Sequence, residues 1–223
     1  MDKIFRLVVF LCVGFGCGSV QAGLILAGND AAHIALGNQG SNQSVGWVSS
    51  SGGRGGFTVI DDGLWGISSY HVTSNDPTRN TFFNNIQLGF GNSLSPTQSS
   101  TAFQIFANPT KDMALFKFDV AFTGIIPLQR FQGFVARGTE GFTVGYGSLQ
   151  YLNEATSVYT GDRRAGFDVV DGINLFEPEN FRTTFNSTIN ANYRNLEMGL
   201  RPGDSGGAFI SNGLLAGASV NPS

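Results

Sequence analysis

Three residue types that together carry out acyl transfer occur in this sequence, each in a short segment of its own. His71 ends the segment Ile-Ser-Ser-Tyr-His, Asp112 opens Asp-Met-Ala-Leu-Phe, and Ser205 lies within Gly-Asp-Ser-Gly-Gly. A serine hydroxyl is a weak nucleophile, so a neutral imidazole must take its proton and later protonate the leaving group. A carboxylate must hold the other ring nitrogen as N–H. The sequence therefore predicts His71 as general base and acid, Asp112 as its orienting group and Ser205 as nucleophile.

The glycines around Ser205 suit a second requirement of this chemistry, the stabilisation of an oxyanion. Glycine backbone adopts conformations in which successive N–H groups point at one spot. A tetrahedral oxyanion needs such donors at about 2.7 to 3.1 Å. We therefore expect the N–H groups of Gly203 and Ser205 to form the oxyanion hole.

Each segment also has a simpler interpretation. A glycine-rich Asp-Ser segment is a good turn, a single histidine is more often a surface or core residue, and an aspartate can cap a strand. The presence of all three residue types in these segments favours catalysis, and His71 is one of only 2 histidines in the sequence. The other is His33, and no Cys, His or Asp cluster has metal-ligand spacing, so neither a metal nor an organic cofactor is expected.

The elements that position these residues are predicted to be β-strands. From Gly23 onward no stretch of about twelve residues has apolar positions at helical spacing, whereas short alternating or β-rich runs are frequent. Runs of Gly, Asn, Asp and Ser separate them. Such a pattern predicts antiparallel barrels or a sandwich. The predicted strands are 44–49, 56–60, 64–68, 86–90, 102–106, 113–118, 141–146, 167–170, 208–210 and 214–219.

The composition excludes several classes of protein. Of the 223 residues 41% are hydrophobic, 12% aromatic and only 13% charged, which is unlike a disordered chain. The net charge is −3 and the basic residues are scattered, so nucleic acid is not an expected partner. The length allows one large all-β domain or two small ones.

Residues 1–22 are typical of a secretory signal peptide. Lys3 and Arg6 precede the apolar run 7–15, and Val-Gln-Ala at 20–22 fits a cleavage site. The apolar run is shorter than the ~20 residues that span a bilayer, so no stable membrane anchor is expected. A buried core helix is the alternative. We expect cleavage near Ala22–Gly23 and a secreted or periplasmic mature chain, which would contain no cysteine because both cysteines precede residue 22.

In order, spacing and local sequence, the three segments resemble those of the chymotrypsin/trypsin-like serine endopeptidases, in particular cysteine-free bacterial members. Phe142–Gly147 is similar to the family's Val-x-Gly-Trp-Gly, and Leu215–Ser219 is similar to the strand that pairs with substrate backbone. The resemblance spans most of residues 24–219. It implies two antiparallel Greek-key barrels, the first in 23–128 and the second in 129–223, acting as a monomer on a protein or peptide substrate.

The resemblance also implies residues of the substrate pocket. Gly199 stands where trypsin-like members carry an aspartate at the pocket base, so an apolar or small side chain before the cleaved bond is expected rather than Arg or Lys. Ser219 would bind substrate backbone. Glu197 is close enough in sequence to reach the pocket.

The chain departs from the family's pattern at several positions. Tyr70 precedes His71 where a small alanine is usual, which would crowd the imidazole, and Val72 replaces a cysteine. In the family a new N-terminus pairs with the aspartate before the nucleophile, here Asp204. The segment Ile25–Gly28 resembles that N-terminus but begins two residues after Gly23, so either trimming occurs, Asp204 has another partner, or the segment simply begins a strand.

The sequence after Ser205 is short for the family, so the second barrel is expected to lack its closing strand and to expose an unpaired edge. Together with Tyr70, this leaves an alternative function, a catalytically inactive peptidase-like secreted protein with a binding or structural role. An esterase of the α/β-hydrolase type is not supported, because that class runs Ser, acid, His and needs a parallel sheet between helices.

Overall fold

The computed structural model of the protein describes residues 9–11, 23–25, 28–76, 78, 81–101, 103–151, 156–173, 180–183, 196–199 and 203–220. They form two large curled β-sheets, a two-stranded β-sheet and one α-helix, which confirms the predicted all-β class. The strands are β1 (Val9–Leu11), β2 (Gly23–Ile25), β3 (Val45–Ser50), β4 (Gly53–Ile60), β5 (Trp65–Ser69), β6 (Gln87–Asn92), β7 (Ser95–Ser100), β8 (Phe103–Asn108), β9 (Met113–Phe118), β10 (Glu140–Gly145), β11 (Leu149–Tyr151), β12 (Arg164–Ile173), β13 (Asn180–Thr183), β14 (Ala208–Ser211) and β15 (Leu214–Val220). The helix α1 is Asp30–Gly37, and short 3-10 helices cover Gly40–Ser44, Tyr70–Val72 and Pro109–Lys111.

The first sheet contains seven antiparallel strands in the order β7-β6-β3-β4-β5-β9-β8. Its interior is filled by phenylalanines, with the ring of Phe57 at the centre. That ring lies 5.3 Å from Phe90 and 5.9 Å from Phe118 between ring centroids, in edge-to-face contacts. Such pairs stabilise a core by about 0.5–1.5 kcal/mol beyond the area they bury. Phe116 and Phe118 of this core lie on β9, which begins directly after Asp112 and pairs with β5, the strand that leads to His71.

The second sheet closes into a barrel in the order β1-β13-β12-β10-β14-β15. Among the described residues, five of these strands come from 129–223. The position between β13 and β15 is occupied by β1, from the predicted signal peptide, which runs parallel to both neighbours. The expected open edge is therefore covered in the full chain, by residues from the other end of the sequence.

The chain crosses from one sheet to the other at residues 128–130. Leu128 forms a bridge with Ile60 of β4, and Arg130 forms one with Leu215 of β15. No helix in the described residues is long and apolar enough to cross a bilayer.

The strand β2 and the helix α1, both in the range that the sequence assigned to the first barrel, contact strands that follow residue 129. β2 pairs in parallel with β11. In α1, Asp30 accepts two hydrogen bonds from the guanidinium of Arg164, at 2.6 and 3.2 Å, and His33 Nδ1 lies 2.9 Å from the carbonyl oxygen of Ala165. The helix therefore ties the N-terminal part of the chain to β12.

We predict that the burial of His33 makes the fold sensitive to mild acid. Burial lowers the pKa of His33 below its ordinary value of 6.5, against the opposing effects of the Ala165 hydrogen bond and Asp30. Because the unfolded chain then binds a proton that the folded chain does not, the free energy of unfolding should fall as the pH drops below about 6.5, by up to about 1.4 kcal/mol per pH unit. Urea unfolding at pH 7.5, 6.5 and 5.5 measures this.

The matched variant is His33→Gln, which does not titrate. It should lose less unfolding free energy than the wild-type chain over the same pH interval. Equal pH slopes for both proteins would show that His33 does not control the acid response.

Candidate active site

The structure brings the three residues of the predicted constellation together between the two sheets. His71 Nδ1 lies 2.6 Å from Asp112 Oδ2, and His71 Nε2 lies 2.8 Å from Ser205 Oγ. All three side chains are partly buried. With Nδ1–H donating to the carboxylate, Nε2 of a neutral imidazole is the acceptor for the serine hydroxyl. A continuous path of hydrogen bonds therefore joins Asp112 to the Ser205 oxygen.

The first sheet places His71 and Asp112 side by side. β5 and β9 are neighbours, with Ser69 opposite Met113, so the residue pair after β5 meets the residue just before β9. The N–H of Tyr70 donates to the carbonyl oxygen of Asp112 at 3.0 Å, and the N–H of His71 donates to Asp112 Oδ1 at 2.8 Å. The carboxylate thus holds both the backbone and the ring of His71.

Asp112 adopts an unusual backbone conformation to make these contacts. Its φ of 45° and ψ of 47° lie in the left-handed region, where aspartate is tolerated better than most residues. This conformation ends the 3-10 helix Pro109–Lys111 and turns the chain into β9. A backbone conformation outside the left-handed region would point the Asp112 carboxylate away from His71.

Ser205 lies in a glycine-rich turn that both sheets hold. The N–H of Gly56 on β4 donates to the Ser205 carbonyl oxygen at 2.7 Å, and the N–H of Gly206 donates to the Ser219 carbonyl oxygen at 2.7 Å. Gly206 has φ of 80°, and a Cβ there would collide with the Gly56 carbonyl oxygen and Ser68 Oγ. Glycine is therefore required at 206 by both conformation and space.

The predicted oxyanion donors lie in this turn. Gly203 has φ of 93°, a backbone conformation that favours glycine. Among the described residues, the protein accepts no hydrogen bond from the N–H of Gly203 or from that of Ser205. Both groups are thus available to an oxygen atom bound beside Ser205.

Asp204 is buried, at 2% exposure, directly before the nucleophile. Its Oδ1 accepts a hydrogen bond from the N–H of Gly147 at 2.6 Å, and a Cβ at 147 would lie 2.5 Å from Oδ2. Ile25, the residue that resembles a new N-terminus, lies instead in β2 and is fully buried. The carboxylate therefore has a backbone partner that does not depend on trimming of the chain.

The geometry does not support the substrate-binding role expected of Ser219. Its N–H donates to the Gly207 carbonyl oxygen at 2.8 Å, and its own carbonyl oxygen accepts from the Gly206 N–H and from the Ser69 hydroxyl. These bonds leave neither backbone group for a substrate. The next residue of β15 is Val220, which is the first residue of the strand beyond the hydrogen bonds to Gly206 and Gly207.

The other two pocket residues lie in the segment 196–199, beside β12. Gly199 is half-buried. Glu197 is 2% exposed, and its charge adds to the effect of burial in raising the pKa of Asp168 well above its usual range. Glu197 is therefore part of a buried acidic pair, in contrast to the open pocket side chain that the sequence allowed.

Two residues that the motifs did not identify contribute to the site, Gly56 and Ser69. Gly56 donates to the Ser205 carbonyl, and Ser69 donates from its hydroxyl to β15 across the gap between the sheets. For Gly56 the available signal was its place at the start of the predicted strand 56–60, because glycine in a strand often marks a close backbone approach.

Tyr70 directs its hydroxyl away from the catalytic hydrogen bonds. The side chain is 5% exposed, and its O–H contacts Ser74 Oγ at 2.9 Å and the Asp76 carbonyl oxygen. Hydrogen bonds from Thr78 and Thr81 lower the pKa of Asp76 and fix the loop that follows. The Tyr70 hydroxyl thus stabilises the loop after His71.

Within the described ranges, no group of three or more His, Cys, Asp or Glu side chains is arranged to hold a metal ion. The constellation of a nucleophile, a paired imidazole and free N–H donors is sufficient in itself for acyl transfer.

No protein-family model matches the chain, and no curated protein matches it. The chain is similar to the crystal structure of Rv3671c from M. tuberculosis H37Rv, in an inactive form that carries a serine-to-alanine mutation. The TM-score is 0.51 and the sequence identity 18%, over 82% of this chain and 79% of that one. The likeness shows the fold: the chain has the two-barrel architecture of trypsin-like serine peptidases.

We predict that Tyr70→Phe lowers the free energy of unfolding without removing the reactivity of Ser205. Loss of the hydroxyl leaves Ser74 Oγ and the Asp76 carbonyl without this donor, which should cost about 1–2 kcal/mol. Urea unfolding of the two single variants Tyr70→Phe and Ser74→Ala and of the double variant would isolate the coupling. A variant of unchanged stability that has lost Ser205 reactivity would instead place Tyr70 in the catalytic machinery.

Proposed function

We propose that this protein is a serine endopeptidase that hydrolyses peptide bonds through an acyl-enzyme on Ser205. The observation that carries the proposal is the unbroken path of hydrogen bonds from Asp112 through His71 to Ser205, at 2.6 and 2.8 Å. Its setting in a two-barrel fold of the trypsin-like type supports the same conclusion.

The geometry supports the following reaction. Ser205 Oγ attacks the substrate carbonyl while His71 Nε2 takes its proton, and the Gly203 and Ser205 N–H groups stabilise the oxyanion. The imidazolium, balanced by Asp112, then protonates the leaving amine. Water repeats the sequence on the acyl-enzyme, with His71 again as base. Each oxyanion donor of this kind typically contributes about 3 kcal/mol to transition-state stabilisation.

We further propose that the protein is exported with cleavage near Ala22–Gly23, acts as a monomer and accepts a small or apolar side chain before the cleaved bond. Gly199 at the expected pocket base and the burial of Glu197 support this preference, because neither offers an exposed carboxylate to a basic side chain. N-terminal sequencing of the protein recovered from cells would test the cleavage site directly.

We predict that a fluorophosphonate probe labels the purified protein once, on Ser205, as read by intact mass and peptide mapping. Ser205→Ala should abolish labelling, and His71→Ala should reduce its rate by about 10⁴-fold or more because the hydroxyl loses its base. The same variants should lose peptidase activity to a similar degree. Ser95→Ala, which alters an exposed serine on β7, should leave both readouts unchanged.

The alternative, an inactive peptidase-like binding protein, makes the opposite prediction. A chain that is folded by circular dichroism yet takes up no probe at Ser205 would refute the catalytic proposal and favour a binding role.

A further inference from the structure

An exposed arginine stands beside the candidate active site with no acidic partner among the described residues. Arg54 lies on β4, and its guanidinium carbon is 4.3 Å from the centroid of the Tyr159 ring. Arginine over an aromatic face is stabilised by the ring while its N–H edges stay available to carboxylates. The positive charge is therefore fixed in place and unneutralised by its neighbours in the described structure.

The strand places Arg54 close to the nucleophile. Gly56 donates its N–H to the Ser205 carbonyl oxygen, and a Cβ at 56 would lie 3.0 Å from the N of Gly207. Side chains two residues apart in a strand point to the same face, about 7 Å from each other. The side chain of Arg54 thus leaves β4 on the face that meets the second sheet, one strand repeat from the Ser205 contact.

The position of β4 also indicates on which side of the cleaved bond Arg54 lies. A Cβ at Gly55 would lie 2.8 Å from Cγ2 of Val72 and 2.5 Å from the Ser205 carbonyl oxygen. Val72 directly follows His71, so β4 lies on the side of Ser205 where the imidazole stands. Because the imidazole must protonate the leaving group, the leaving part of a substrate lies on this side.

Tyr159 is held in position by contacts with the first sheet. Its hydroxyl contacts Ser93 Oγ in the turn between β6 and β7, and the N–H of Ser93 donates to the Gly161 carbonyl oxygen at 2.8 Å. Asn92, the last residue of β6, donates from Nδ2 to the Thr160 carbonyl oxygen at 2.9 Å. The ring is thereby a fixed platform for the guanidinium at the junction of the two sheets.

We propose that Arg54, held on the face of Tyr159, is a specificity-determining residue that selects acidic side chains in the one or two substrate residues that follow the cleaved bond. This proposal rests on the proposed function, because it requires that the protein cleaves a peptide bond at Ser205. In this proposal the exposed guanidinium of Arg54, held on the Tyr159 ring, binds a carboxylate of the substrate.

The test uses two peptides that differ only by Glu or Gln at the first two positions after the cleaved bond. Their dissociation constants are measured on Ser205→Ala, which binds without cleavage, and their kcat/KM values on the unsubstituted protein. We expect the Glu peptide to be favoured about three- to fivefold in both assays, as for a partly exposed ion pair, and the preference to shrink in 0.5 M NaCl.

The variants separate Arg54 from general charge. Arg54→Gln should bring the Glu/Gln ratio to about one, and Tyr159→Ala should lower it, whereas Tyr159→Phe should keep it because the ring remains. Arg137→Gln is the matched control: it removes an exposed positive charge next to Gly138, whose N–H bonds to Val170 at the end of β12 away from Asp204. It should leave the ratio unchanged.

The two proposals fail separately. Absence of probe labelling on Ser205 would refute the endopeptidase proposal, whatever the peptides do. A Glu/Gln ratio of one, a ratio that survives Arg54→Gln, or no binding of either peptide to Ser205→Ala would overturn the role of Arg54, even in a fully labelled protein.

Discussion

The hydrogen bond from the Gly56 N–H to the Ser205 carbonyl oxygen joins the two halves of the candidate site. His71 and Asp112 are positioned by the first sheet and Ser205 by the second, so the 2.8 Å contact between imidazole and hydroxyl depends on how the sheets are fixed to one another. The bond from the Ser69 hydroxyl to the Ser219 carbonyl oxygen reinforces the same junction. Because these donors and acceptors are shielded from water, losing either one would leave a buried polar group unpaired.

The close approach of the two sheets explains why glycines occur at this junction better than backbone flexibility does. At Gly55 and Gly56 on one side and Gly206 on the other, the two sheets approach each other with no room for a Cβ. A side chain at any of these positions would push the sheets apart and lengthen the contact between His71 and Ser205. The geometry of the site therefore depends on the absence of side chains at the junction as much as on the three reacting side chains.

Alternation of apolar residues was enough to predict most strands, and β9 was predicted at its observed bounds. The strand β7 was missed because its polar, serine-rich sequence reads as a turn, and it lies at a sheet edge where burial imposes no apolar pattern. The helix α1 was missed because its eight residues are fewer than the window that reveals helical spacing. The register of Ser219 depends on pairing with Gly206 and Gly207, which no local pattern encodes.

The closing position of the second barrel bears on the site through β15. On one edge this strand bonds to the nucleophile turn, through Ser219 to Gly206 and Gly207, and on its other edge it pairs with β1, with Ser219 opposite Phe10. β13 and β15 run parallel to each other, so any extended segment of either direction can satisfy the backbone groups between them. The same strand, β15, therefore holds the nucleophile turn on one edge and closes the barrel against β1 on the other. The residues of β1 belong to the predicted signal peptide, and their removal would expose the edge of the very strand on which the catalytic turn rests.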